Sequence, residues 1–261
     1  MKKSPANLKN THLDDSLKQL YLTTIRACYQ DEADLARRES LSYERYLLEL
    51  AIKESETRSD KRTSRLLRES KLPLEKSIES FDRKRLPMKV NMLVDLLLEG
   101  SFLERNENVL AFGNPGSGKT HLLCAIGQEL VRQGRRVLLT SCHMLVQELL
   151  FATKDLKLAK ALKKLARYDA LMIDDIGYVQ QNREEMEVLF TLLADRYERG
   201  SVMLTSNLPF SQWEQIFKDP MTTAAAIDRL VHHSIILELN LPSYRLEQSQ
   251  NNQGKSQDSG E

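Results

Sequence analysis

Residues 13–70 contain neither glycine nor proline and are rich in Leu, Arg, Glu, Lys, Ala and Gln, which predicts two or three helices. Within them SYERYLLELAIKES sets Tyr43, Tyr46, Leu47, Leu50 and Ala51 on one stripe and charges on the other side, the pattern of a helix that buries one face. Residues 1–72 are therefore expected to form a small helical domain. The next stretch, KLPLEKSIESFDRKRLP, is bracketed by Pro73 and Pro87, and each proline disfavours helix at the residue before it, so 73–87 reads as an extended linker. Helical periodicity resumes at Met88 and runs to about Leu98.

From there the pattern alternates. The apolar runs NVLAF, RVLLT, ALMI, SVMLTS and SIILEL have strand length, and each is followed by a helical segment or a loop. Runs that are apolar at every position suit strands buried on both faces, so residues 88–246 are expected to form an α/β domain around a mainly parallel sheet. Beyond Tyr244 the sequence EQSQNNQGKSQDSGE has almost no apolar content, and 247–261 reads as a disordered tail.

Composition changes this picture in three ways. A chain of 261 residues with 41% hydrophobic content can bury a substantial core. No run of about 18 apolar residues is present, and the two lysines at the start are followed by no apolar stretch, which argues against secretion and membrane spanning. The cysteines, Cys28, Cys124 and Cys142, are widely spaced and read as reduced thiols of a cytoplasmic protein. The net charge of +1 conceals an asymmetry: residues 1–89 hold 20 Lys/Arg against 15 Asp/Glu, and 11 of those basic residues lie in 58–89 beside 5 acidic ones. Such a block attracts phosphate backbones, with Arg62, Arg65, Arg68, Lys71, Arg83, Lys84 and Arg85 as candidate contacts; a solvated helix face is the alternative.

The strongest chemical signal directly follows NVLAF. Gly113, Asn114, Pro115, Gly116, Ser117, Gly118, Lys119 and Thr120 satisfy G-x-x-x-x-G-K-[ST], between a strand and a helix expected over about Thr120 to Arg132. Glycines let the backbone curl so that its N–H groups point at phosphate oxygens, and the helix adds its positive end. Lys119 is then expected to reach the β- and γ-phosphates and the Thr120 hydroxyl to ligate Mg²⁺. His121, one residue further on, faces the same site and reads as a packing or capping residue rather than a base. ALMIDDIG supplies acids at the end of another strand: Asp174 to hold Mg²⁺, and Asp175 to polarise the attacking water. These motifs specify an ATPase or GTPase core. The absence of N-K-x-D speaks against guanine recognition, and the lack of an arginine-rich lid speaks against a small-molecule kinase.

Two polar residues extend the set. Asn207 follows SVMLTS, where its amide could contact the γ-phosphate or the water, although asparagine after a strand also serves as a cap or turn residue. Arg229, in AIDRLVHHS, could act as an arginine finger in a neighbouring subunit or form a surface ion pair. His232 and His233 read as structural at a helix end, and Trp213 as an anchor on the sheet.

The ordered set FLERNENVLAFGNPGSGKTHL, DALMIDDIGY, LFTLLADRYERGSVMLTSNLPFSQW, AAAIDRLVHHS and SYRL resembles the IstB family, helper ATPases encoded with the transposases of bacterial insertion sequences. That family belongs to the AAA+ proteins and is similar to the helicase loader DnaC and the replication initiator DnaA. The resemblance covers about residues 70–246 and implies an AAA+ sheet in which the strand ending in Asn207 lies between the P-loop strand and the Asp174 strand. It implies ATP as the nucleotide, Asn207 as sensor 1, Arg229 as a finger acting in trans, and Arg245 as a residue near the nucleotide or in a structural role. It also implies homo-oligomers on double-stranded DNA that present target DNA to a partner transposase; a DnaC-like helicase loader is the nearest alternative. The family pattern has Asp-Glu where this chain has Asp174-Asp175, and the shorter second acid leads us to expect slow hydrolysis.

Overall fold

The computed structural model describes residues 5–176, 183–213, 220–244 and 247. It divides into two units, one up to Arg65 and one from Leu66 onward.

Three helices build the first unit: α1 (Pro5–Gln19), α2 (Thr23–Glu39) and α3 (Tyr43–Ser70), the last continuing past the boundary. The inward face of α3 carries Tyr46, Leu50 and Glu54, whereas Tyr43, Leu47 and Ala51 of the expected stripe are exposed. The helix is turned because Glu54 caps α2. Its Oε2 accepts hydrogen bonds from the backbone N–H groups of Thr24 (2.8 Å) and Ile25 (3.0 Å), which have no partner inside their own helix. Arg58 donates to the other oxygen at 2.8 Å and to Tyr21 O at 2.7 Å. Burial pushes the Glu54 carboxyl up, but the bonds from Ile25, Arg58 and Thr24 outweigh it and hold it below the usual carboxylate range. A depressed carboxyl stabilises the fold above its unfolded pKa, and that contribution disappears as pH falls through the folded value. Glu54→Gln is expected to lower the stability of this unit by about 1–2 kcal/mol and to flatten the acid limb of its stability profile, as measured by urea unfolding across pH. An unchanged acid limb would remove Glu54 from that role.

In the second unit all five strands run parallel in the order β2-β3-β4-β1-β5: β1 (Asn108–Gly113), β2 (Val137–Ser141), β3 (Ala170–Asp174), β4 (Ser201–Ser206) and β5 (Ser234–Leu239). Each coincides with one of the apolar runs, and β4 lies between β1 and β3 as the resemblance implies. Leu110 of β1 is level with Leu204 of β4 and Ile236 of β5. Successive side chains point to opposite faces. Leu110, Phe112, Leu171 and Ile173 meet α6 (Cys142–Lys154), α7 (Leu158–Leu165), α8 (Arg183–Arg196) and α9 (Pro220–Val231). Val109, Ala111, Ala170 and Met172 meet α4 (Met88–Glu99) and α5 (Lys119–Arg132). Helices on both faces explain why the strands are apolar at every position.

Residues 73–87 do not extend away from this unit. Leu72 and Leu86 are buried with α4 and α5, Ile78 and Phe81 pack against the same cluster, and Gln128 of α5 donates to the carbonyls of Pro73 (2.8 Å) and Lys76 (3.1 Å). The prolines keep α-helix out of the segment, which has a 3₁₀ turn at Arg83–Arg85, and scattered apolar residues fasten it to the core. At the start of β1, Asn108 accepts from Val202 N (2.9 Å) and donates to Leu230 O (3.1 Å), joining β1, β4 and the end of α9. Trp213 is fully buried, with its ring 6.2 Å from Phe112 and 5.0 Å from Phe210. His232 meets the Tyr197 hydroxyl at 3.2 Å and lies edge-on to His233. No helix among the described residues is long and apolar enough to cross a membrane. No disulfide joins the three cysteines, and burial pushes the Cys124 thiol up to about 12, which makes it inert. The sequence after 247 lies outside the described residues.

Candidate nucleotide site

The C-terminal ends of β1, β3 and β4 meet at one edge of the sheet, the place where open α/β sheets bind ligands. β1 ends at Gly113, with φ near 150°, where a Cβ would collide with the carbonyl of Leu239 on β5. Gly116 has φ near 80°, and a Cβ there would run into the Ser243 hydroxyl. Only glycine lets the loop pass so close to the chain that follows β5. The loop wraps a cavity of about 260 Å³ lined by Pro115, Gly116, Ser117, Gly118, Lys119, Thr120 and His121. Lys119 opens α5 and is buried; its Nζ donates to Gly113 O (2.8 Å) and Asn114 O (2.9 Å), so the cation is held at the mouth of the loop.

Across the cavity, Asp174 ends β3 and its Oδ1 accepts from two hydroxyls, Thr120 of α5 at 2.8 Å and Thr205 of β4 at 2.6 Å. Asp175 has left-handed backbone geometry (φ 60°), is exposed and faces the cavity. Asn207 follows β4 and lines the same space.

The cavity fits a nucleotide phosphate chain on an observation of its own. The Ser117 hydroxyl and the Asn207 Oδ1 are shielded from solvent and have no hydrogen-bond partner among the described residues. Buried polar atoms without partners are costly in a protein that has no use for them. Among the described residues no cluster of His, Cys, Asp and Glu could hold a metal unaided. A magnesium ion at Thr120 and Asp174 therefore fits one that arrives with phosphate oxygens to complete its shell.

Several groups here escape sequence reasoning. Phe81, Asp82 and Arg85 of the segment before α4 form one wall, and Leu241 and Tyr244 after β5 another. Tyr244 donates its N–H to Gly116 O at 3.1 Å. Arg85 binds Pro242 O (3.2 Å) and Glu247 (2.9 Å) and lies 5.2 Å from the centre of the Tyr244 ring. Arg85 thus clamps the chain after β5 over the loop, away from the role of a free phosphate-backbone contact. Arg83 is likewise engaged, with Asp95 at 2.7 Å and the Asn91 side chain at 3.1 Å. Lys84, Arg62 and Arg65 are exposed, as are Arg68 and Lys71 in the second unit. A second basic face lies on α7 and just after it: Leu158, Ala161, Leu162 and Leu165 turn to the core while Lys160, Lys163, Lys164 and, past the helix end, Arg167 face solvent. His121 sits edge-on to Phe81 (5.2 Å) and meets the Ser80 hydroxyl (3.1 Å) and Ser77 O (3.2 Å). Burial, partly opposed by that carbonyl, holds its imidazole below the usual value, so it is neutral near pH 7 and packs the wall.

The structure does not bring Arg229 into this cavity. Arg229 donates to Ala225 O at 2.9 Å and lies 4.7 Å over the Phe190 ring, beside the start of β1 rather than its end. Arg245 falls outside the described residues.

This sheet order with a phosphate loop after β1 and paired acids after β3 defines an ATPase of the AAA+ P-loop class. The same fold is found in AMPPCP-bound DnaA from Aquifex aeolicus, with a TM-score of 0.53 and 20% identity over 66% of this chain and 52% of that one. The family model described as IstB-like ATP binding protein matches residues 15–252, and the chain belongs to that family. An insertion sequence ATP-binding protein of Sinorhizobium fredii is 42% identical over 246 residues, 91% of this chain and 83% of the relative. One from Geobacillus stearothermophilus is 35% identical over 240 residues, 92% and 96% of the two chains. The protein is therefore an ATPase of the IstB-like ATP-binding family.

Proposed function

We propose that this ATPase is a DNA-binding helper of transposition: it assembles with ATP into a homo-oligomer on double-stranded DNA and presents target DNA to a partner transposase. The observation that carries this reading is the convergence of a phosphate loop, the hydrogen-bonded Thr120 and Asp174, a second acid and Asn207 at three adjacent strand ends, in a chain whose relatives are insertion sequence ATP-binding proteins. Those relatives favour transposition over helicase loading.

In this reading Lys119 binds β- and γ-phosphate oxygens, and Thr120 and Asp174 would hold Mg²⁺, which would supply positive charge to offset that of the phosphates. Asp175 accepts the proton of the water that attacks the γ-phosphorus as the bond to the bridging oxygen breaks, and the Asn207 amide orients that water. The Asp175 side chain is one methylene shorter than glutamate, which suits a slow switch. Arg229 lies beside the far end of β1 from its own chain's cavity, so its guanidinium is assigned to the cavity of a neighbouring copy. Nucleotide then stabilises the assembly, because one copy holds its phosphates while Arg229 of the next reaches them.

DNA contact is assigned to the exposed cations Arg62, Arg65, Arg68, Lys71 and Lys84 and to the basic face of α7. Many weak phosphate contacts repeated by each copy sum to high affinity that falls steeply with salt. The test is sedimentation of the protein with a long DNA duplex, with and without ATP and Mg²⁺, at low and moderate salt. Large assemblies that need ATP and dissolve with salt are expected. Indifference to duplex DNA under every condition would overturn the reading and move helicase loading to the front.

A further inference from the structure

Thr205 sits where β4 passes the acids at the end of β3, and its side chain is fully buried. Its hydroxyl makes two bonds of opposite sense: it donates to Asp174 Oδ1 at 2.6 Å and accepts from the backbone N–H of Asp175 at 2.9 Å. A hydroxyl has one proton to give and lone pairs to spare, so both bonds form at once, with the proton directed to the carboxylate. The Thr205 carbonyl also accepts from Ile176 N at 3.2 Å. One residue therefore grips the turn after β3 from both sides of Asp175, the acid whose left-handed backbone carries its side chain toward the cavity.

Two further links make this more than local packing. Asp174 Oδ1 also accepts from Thr120 on the P-loop helix, so a single carboxylate oxygen ties α5, β3 and β4 together. Asn207 lies two residues beyond Thr205, so the strand end that carries it is bonded to the acids through this hydroxyl. We infer that Thr205 is a positioning residue for hydrolysis, which orients Asp174 for the metal and fixes the backbone that aims Asp175. Serine can make the same pair of bonds; valine, of nearly the same shape, makes neither. The inference rests on the roles of Asp174 and Asp175 proposed above.

The experiment measures ATP hydrolysis, and the affinity of a fluorescent ATP analogue with Mg²⁺ and in EDTA, for Thr205→Val, Thr205→Ser and Asp175→Asn. For the valine variant we expect kcat to fall about 10- to 100-fold, as for residues that orient a metal ligand. Affinity in EDTA should match the wild type, while the gain conferred by Mg²⁺ shrinks about tenfold. The serine variant should restore both. Should valine lose affinity in EDTA through misfolding, Thr205→Cys, which keeps size with a weak donor, takes its place in the same assays. A valine variant with wild-type kcat and Mg²⁺ response, or a serine variant as impaired as valine, overturns the inference. If Asp175→Asn hydrolyses ATP at the wild-type rate, the assignment of the acids falls and the inference with it. If Asp175→Asn is inactive while valine is normal, the inference alone falls.

Discussion

Lys119→Ala is expected to lower kcat/KM for ATP by about 10²–10³-fold and to abolish ATP-dependent DNA binding together with it. The size of the effect follows from two roles in one side chain. The ammonium is buried at the mouth of the loop, where a cation interacts with phosphate far more strongly than in water. It also bridges the carbonyls of Gly113 and Asn114, so it holds the curl of the loop. Alanine removes both. Arginine should not rescue it, because a planar fork cannot replace a compact ammonium between two carbonyls. Equilibrium binding of a labelled ATP analogue, followed by sedimentation with duplex DNA, checks the result; DNA binding that still responded to ATP would show that the nucleotide acts elsewhere.

Asp175→Asn should behave in the opposite way, keeping ATP and DNA binding while slowing turnover by about 10²–10⁴-fold, the range for loss of a general base. The variant is nearly isosteric and leaves the backbone bond from Asp175 N to Thr205 in place, so the change isolates the carboxylate. It also opens a test of Arg229. If its guanidinium completes a neighbour's site as proposed, Arg229→Ala alone should be inactive; mixing it with Asp175→Asn should restore part of the turnover, because some interfaces then hold a wild-type acid and a wild-type arginine. Activity rates across mixing ratios give the answer, and a mixture as inactive as its parts would leave Arg229 with only the contacts it makes to Ala225 and Phe190.

What sequence alone reveals here is what is local. The phosphate loop, the acids after ALMI and the five strands are each written within a few consecutive residues, and each appears in its expected place. Asp174 and Thr120 are 54 positions apart, yet their meeting is foreseeable because a strand end and a loop with known chemistry must share one metal. Other features depend on partners that no spacing announces. Glu54 turns inward because the start of α2 needs acceptors, so the buried stripe of α3 departs from the apolar one. Residues 73–87 look like a linker by their prolines, but their scattered Leu, Ile and Phe close over α5 and place Phe81 and Arg85 in the cavity wall. Thr205 reads as an ordinary strand residue until β3 is set beside it. Arg196 is similar: it is a buried cation on α8 that donates to the carbonyls of Leu165 (3.1 Å), Tyr168 (3.0 Å) and Ser201 (2.9 Å), partners that no local spacing points to.

Trp213 is the only tryptophan in the chain, and its ring lies against Phe112, one residue before the phosphate loop begins. Light absorbed selectively by tryptophan is therefore emitted from one place, a sealed aromatic cluster at the shoulder of the nucleotide cavity. The protein carries its own optical gauge, positioned so that movement of the loop alters the surroundings of the single emitter without any label being attached.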